Sequence, residues 1–212
     1  MHIPDGFLSP PVWGSLDLLS GAAVAFGLRR TSATLQEKSI PLMGVLSAFI
    51  FAAQMLNVPV AGGTSGHFLG GALAGIILGP WIGLIVMAII LIVQCFLFQD
   101  GGVAALGANI FNMGLVGSFL GAWIYWALRR VVVGKRALFW AGFLTAWTTI
   151  VLSSICCASE LALSKVVSWK LGFAIIVGVH ALLGILEGII TGTVLESLSK
   201  TRPDLLSLSE SR

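Results

Sequence analysis

The sequence predicts an all-α polytopic membrane protein: a seven-helix transmembrane bundle with its N-terminus outside and its C-terminus inside. Three observations predict it. Of 212 residues, 57% are hydrophobic and only 10% charged, with a mean hydropathy of +1.00. A soluble chain is typically about 25% charged, and with so few charges a soluble fold of this size cannot cover its surface. The apolar residues fall in long runs, and a span needs about 20 of them for a hydrocarbon core of about 30 Å. The third observation is how Lys and Arg are shared between the loops.

In order, the runs are Val12–Leu28, Ile40–Leu56, Phe68–Gly79, Trp81–Phe98, Ala105–Leu128, Ala137–Leu163 and Leu171–Leu198. The loops between them are short, so one bundle is expected, with residues 1–212 a single domain. Basic residues concentrate in cytoplasmic loops. The loops after the first, third and fifth runs, with the tail, hold Arg29, Arg30, Lys38, Arg129, Arg130, Lys135, Arg136, Lys200, Arg202 and Arg212; the other set holds Lys165 and Lys170. Fusing Phe68–Phe98 into one bent span would split the basic loops between the two sides, so seven spans fit best. Residues 199–212 then read as a short cytoplasmic tail. Trp13, Trp81, Trp123, Trp126, Trp140 and Trp169 sit near run ends, as an aromatic belt places them.

The net charge of +3 includes no basic run interleaved with exposed aromatics, which sets nucleic acid aside. The opening Met1-His2-Ile3-Pro4-Asp5-Gly6 does not read as a cleavable signal. His2 is a large second residue, so Met1 is expected to stay. Cys95, Cys156 and Cys157 lie in apolar runs and read as small buried residues.

The third run is too short. Twelve residues make about 18 Å of helix, and Pro80 is well placed to start the next one. The stretch before it, Val60-Ala61-Gly62-Gly63-Thr64-Ser65-Gly66, is glycine-rich backbone, tolerated at membrane depth only inside protein or a water-filled cavity. His67 is therefore expected to enter a cavity from outside, and a broken span is a pointer to a binding site.

Met1 and His2 carry a specific chemistry. A free α-amine, the His2 backbone nitrogen and the His2 imidazole Nδ1 close a five- and a six-membered chelate ring on one metal. Three nitrogens lie in a plane, and His67 can take the fourth corner. Four nitrogens in a square suit Ni(II) or Cu(II), with Co(II) possible, and disfavour tetrahedral zinc. The ordinary readings are an exposed terminal histidine and a hydrogen-bonded histidine at a helix start. Ionisable groups within a membrane are costly enough to favour function.

His180 and Glu187, two turns apart on one helix face, read as inward-facing, either beside the metal or as a buried structural pair. Asp5, Asp17, Asp100 and Glu160 lie in the outer half, either attracting cations or acting as solvated acids. Asn109 and Asn112 are expected to hydrogen-bond between helices and to hold the N-terminal loop, residues 1–11. Gln54, Asn57, Gln94 and Gln99 have the same bland explanation. Small residues four apart, at Ala48/Ala52, Gly71/Gly75/Gly79, Gly117/Gly121 and Gly188/Gly192, allow close helix approach.

Taken in order, several segments resemble the CbiM/NikM family, the substrate-binding (S) components of energy-coupling-factor importers for nickel and cobalt. They are Met1-His2-Ile3-Pro4-Asp5-Gly6, Gly62-Gly63-Thr64-Ser65-Gly66-His67, Leu78-Gly79-Pro80-Trp81, Gln99-Asp100-Gly101-Gly102, Leu106-Gly107-Ala108-Asn109, Asn112-Met113-Gly114, and His180 with Glu187-Gly188. The resemblance implies a multi-pass subunit of a bacterial or archaeal cell membrane that binds Ni2+ or Co2+ as cargo and hydrolyses nothing. It implies a transmembrane coupling (T) protein, two ABC-type ATPases and a small additional membrane component as partners. Metal ligands carry over to Met1, His2 and His67. Asp5, Ser65, Asn109, Asn112, His180 and Glu187 are candidates for the surrounding shell, and Ala48/Ala52 for the face that meets the coupling protein. Some nickel members carry the additional component fused at the C-terminus; this chain shows no such segment, so a separate one, or none, is expected. Nickel is favoured by the Met1–Gly6 segment, with a cobalt-specific member as the alternative. A different class, a rhomboid-like intramembrane serine protease using Ser65 and His180, fits Gly63-Thr64-Ser65-Gly66 but leaves Met1, His2 and His67 idle.

Overall fold

The computed structural model describes residues 1–32, 35, 37–60 and 65–210. The glycine-rich residues 61–64, and with them the first half of the Gly62–His67 motif, lie outside the described residues, as does Arg212.

Each of the seven apolar runs contains a helix. Helix α1 spans Pro10–Ser32, α2 Ile40–Gln54, α3 Gly71–Leu78, α4 Pro80–Phe98, α5 Leu106–Val131, α6 Ala137–Leu163 and α7 Trp169–Thr201. Among the described residues, five of these, α1 and α4 to α7, are long and apolar enough to cross a membrane. The chain is a multi-pass membrane protein. An eighth helix, α8, covers Pro203–Glu210, where the sequence suggested only a polar tail.

The third run departs most from expectation. Its helix starts at Gly71 instead of Phe68, leaving eight residues, about 12 Å at the usual rise. Ahead of it, strand β2 (Ser65–His67) pairs antiparallel with β1 (Asn57–Pro59) in a hairpin that the sequence did not announce. Gly70 stops the helix from starting earlier: its φ of +74° is a left-handed conformation that favours glycine. Every residue of α3 is buried. A helix apolar all round belongs inside the bundle, and α3 sits against α4 and α5. A Cβ at Gly71 would stand 2.6 Å from the Met113 carbonyl oxygen of α5, so the α3–α5 approach depends on that glycine. Gly79, at φ +84°, turns the chain and Pro80 opens α4, as proposed from sequence.

Helices α5 and α7 each contain a stretch of wider turns, at Phe111–Leu120 and Phe173–Val177, a local expansion often found near functional sites. At one end of the bundle four connections converge: the N-terminal loop, the β1–β2 hairpin, the α4–α5 loop and the end of α6. Ser9 N–H donates to Ser164 Oγ (3.0 Å), and the Met1 amine reaches Ser65. At the opposite end Arg136 and Glu196 lie 3.8 Å apart.

Candidate metal site

The first nine residues run back into the bundle. Met1 and Ile3 are fully buried apolar side chains and His2 is only 3% exposed, so hydrophobic burial pulls the terminus inward. Backbone bonds fix its register. The Ile3 N–H donates to Asn109 Oδ1 at 2.8 Å, Asn109 Nδ2 donates back to the Ile3 carbonyl at 3.2 Å, and Gly102 N–H donates to the same carbonyl at 2.9 Å. The Asn109 amide thus pairs with Ile3 as a neighbouring strand would. Asp5 accepts from Val103 N–H (3.0 Å) and Ala104 N–H (2.8 Å). At Gly6, φ is +84°, which turns the chain toward α1. Gly101, at φ +97°, faces the terminus: a Cβ there would stand 2.9 Å from Asn109 Nδ2 and 3.6 Å from the His2 ring.

Removing the Asn109 amide leaves the buried Ile3 N–H without an acceptor, a cost of about 1–3 kcal/mol. In Asn109→Leu, amide exchange at Ile3 is therefore expected to quicken by roughly 5- to 150-fold while helix content is retained. Unchanged exchange in the variant would contradict this role.

At the inner end of the loop the Met1 amine donates to the Ser65 carbonyl, lies 3.4 Å from Ser65 Oγ and 2.7 Å from His67 Nε2. His67 Nδ1 lies 2.7 Å from the Phe68 carbonyl. A carbonyl only accepts, so Nδ1 carries the proton and Nε2 offers its lone pair toward the amine. The rings of His2 and His67 stack with centroids 4.7 Å apart. His2 Nε2 lies 3.0 Å from Gln94 Oε1, while its Nδ1 has no hydrogen-bond partner and stands 3.4 Å from Asp100 Oδ1. A buried ring nitrogen with a bare lone pair is uncommon, and a neighbouring carboxylate oxygen makes it a place for a cation.

Burial keeps these nitrogens unprotonated. Desolvation lowers the Met1 amine from 8.0 to about 5, against the raising influence of Cys157 and Asp100. It also takes His2 down to about 3, helped by the amine, and His67 well below its ordinary value. Three neutral nitrogen donors in a dry site suit a divalent transition metal.

Of the predicted surrounding residues, Ser65 and Asn109 touch the terminal loop directly, and Asp5 holds it from the side. Glu187 acts one step away: its carboxylate accepts from Leu69 N–H (2.8 Å) and Gly70 N–H (3.0 Å), behind His67. Asn112 Nδ2 instead donates to Glu160 at 2.8 Å. His180 Nδ1 lies 2.7 Å from the Ile176 carbonyl of its own helix, so His180 and Glu187 are not hydrogen-bonded as a pair. The Ser65 hydroxyl lies beside the amine, and no Ser65–His180 bond of the kind a serine protease needs is formed among the described residues. Gln54 and Gln94 bond between helices as expected, but their line toward His2, and the place of Asp100 beside its ring, were not foreseen. Polar residues inside apolar runs were the only available signal. Ala48 and Ala52 point outward, whereas the pairs Gly71/Gly75, Gly117/Gly121 and Gly188/Gly192 all meet neighbouring helices.

Three comparisons bear on this arrangement. Residues 2–205 match the family model CbiM, described as the cobalt uptake substrate-specific transmembrane region. A protein of Archaeoglobus fulgidus, provisionally named a fused nickel transport protein (NikMN), is 42% identical over 97% of this chain and 68% of its own length. The cobalt transport protein CbiM of Geobacter sulfurreducens is 32% identical over 98% of this chain and 62% of its own length. Among solved structures, a truncated transition metal transporter superposes with a TM-score of 0.88 at 30% identity, covering 95% of this chain and 99% of that one.

Proposed function

Since this chain belongs to the CbiM family of metal transport proteins, we propose that it is the substrate-specificity (S) subunit of an ATP-driven, energy-coupling-factor importer. It captures Ni2+, or Co2+, in a roughly square-planar site made by the Met1 amine, the His2 amide and imidazole Nδ1, and His67 Nε2. One observation carries the reading: the buried amine and His67 Nε2 are 2.7 Å apart. In the chelate the open corner adjoins the amine, so its fourth donor must stand beside that amine, as His67 does.

The bare His2 Nδ1 is the nitrogen that closes the six-membered ring, and its burial without a partner supports the same assignment. A square of nitrogens favours nickel over zinc; cobalt uptake is the alternative that the family's description keeps open. In this reading the metal loop faces the outside and residues 199–212 the cytoplasm of a bacterial or archaeal cell, which the Lys and Arg asymmetry of the loops supports. The importer also includes a transmembrane coupling protein, two ABC-type ATPases and a small additional membrane component. Ala48 and Ala52 form the face toward the coupling protein: they are small and exposed, while the other pairs are used inside the bundle.

Metal analysis of the purified chain after growth with nickel or cobalt tests the reading, with about one ion per chain expected; neither metal bound would contradict it. The proton count is a second check. A free amine titrates near 8.0, but the docked one near 5. Because the docked form binds fewer protons, docking is complete above about pH 8 and weakens as the pH falls toward 5. Between those limits the docked amine is already neutral. Nickel binding to the docked loop at pH 7 is then expected to release one proton, from the His2 amide, and calorimetry in buffers of different ionisation heat measures it. Release of two would mean that the amine is charged before the metal arrives.

A further inference from the structure

Behind His2 runs a line of side-chain amides with a defined direction. Gln54 Nε2 donates to the Leu69 carbonyl at 2.6 Å. That carbonyl only accepts, so the Gln54 amide cannot be turned round without losing the bond. Gln54 Oε1 consequently faces Gln94 and accepts from Gln94 Nε2 at 2.9 Å. This orients the second amide in turn, leaving Gln94 Oε1 toward His2 Nε2 at 3.0 Å. An acceptor there requires the His2 proton on Nε2 and leaves Nδ1 bare. Both glutamines are fully buried, so neither amide can exchange its partners for water.

We infer that Gln94 and Gln54 are positioning residues for the metal site, a directional amide relay that starts at the Leu69 carbonyl and holds the His2 ring with Nδ1 free for the ion. The inference rests on the nickel or cobalt reading above. Outer partners of this kind fix ring tautomer and orientation, and their loss typically lowers metal affinity about 10- to 100-fold. Neither glutamine touches the ion. Gln54 reaches it through Gln94, and its anchor at Leu69 lies two residues from His67.

His67 places Nδ1 against the Phe68 carbonyl, so the relay sets His2 apart from it as the ring protonated on Nε2. Nitrogen-15 NMR of the metal-free full chain, labelled at its three histidines, is expected to show His67 protonated at Nδ1 and a second ring at Nε2. The Nε2 form should be assigned to His2 by its loss in His2→Ala. A His2 ring protonated at Nδ1 would overturn the relay, and this readout needs no glutamine variant to fold.

Titration of Ni(II) into purified variants supplies the second test. Gln94→Met keeps the bulk and removes the acceptor, so nickel affinity is expected to fall about 10- to 100-fold. The absorption spectrum at saturation stays as in the parent, because the ligands are unchanged. Gln94→Glu restores an acceptor and is expected to recover most of the loss, and Gln54→Met to weaken binding through Gln94. Parent-like affinity in Gln94→Met, or equal loss in Gln94→Met and Gln94→Glu, overturns the inference. His67→Ala is titrated alongside: if it too binds like the parent, the metal site itself is misassigned, whereas its loss with Gln94→Met unaffected removes only the relay.

Discussion

Nickel binding falls sharply when two residues are added ahead of Met1. Such an extension leaves every side chain in place but converts the terminal amine into a peptide nitrogen. The site loses its neutral terminal donor, and the peptide nitrogen in its place can bind the ion only after giving up its own proton. Tethered donors act at high effective concentration, and losing one costs about 10²- to 10⁴-fold in avidity. Packing adds to the loss. The amine is fully buried between the Ser65 carbonyl and His67, so added residues must displace that wall or pull the loop out. Ni(II) titration of a chain extended by Gly-Ser is expected to show this drop with helix content unchanged; a single Gly is avoided, because Gly-Met-His would itself supply four nitrogens. Undiminished affinity would remove the amine from the site.

His67→Ala is expected to produce the next largest effect, exceeding the roughly 10- to 100-fold usual for outer-shell changes. It deletes the donor beside the amine and leaves the buried amine without its 2.7 Å neighbour. The bundle should persist, because His67 sits in the short strand ahead of α3 and Glu187 still binds Leu69 and Gly70. Isothermal titration with Ni(II), alongside circular dichroism, separates loss of the ligand from loss of the fold.

These effects were partly legible in the sequence. Met1, His2 and His67 can be picked out because chelate rings depend on covalent connectivity, which a sequence states outright, and because the glycine-rich stretch before a short apolar run marks a break. The start of α3 was less accessible. Phe68 and Leu69 are apolar enough to join the helix, but Glu187, 117 residues further on, takes the Gly70 backbone N–H. That bond exists only once the fold is made. The β1–β2 hairpin is three residues a side and flanks residues 61–64, too brief for an alternating pattern to stand out. The joint role of Gln54 and Gln94 was hidden for a similar reason. Each looks like an interhelical contact, and only their spatial order, Leu69 to Gln54 to Gln94 to His2, gives the pair a direction.

The buried amine gives the terminus a definite place. The charge balance and the short third run point to a chain end that plugs a cavity above His67, and the structure seats Met1 and Ile3 fully inside the bundle, clamped by Asn109 and Asp5. The proposed donors Met1 and His2 thus lie on the very segment that fills the cavity.

The geometry of the bound metal tests the central claim most directly. X-ray absorption and magnetic measurements on the nickel-loaded, unextended chain are expected to give a diamagnetic ion with four nitrogen neighbours in a plane. A high-spin, six-coordinate nickel, or one bound through sulfur from Cys157, would contradict the proposed site.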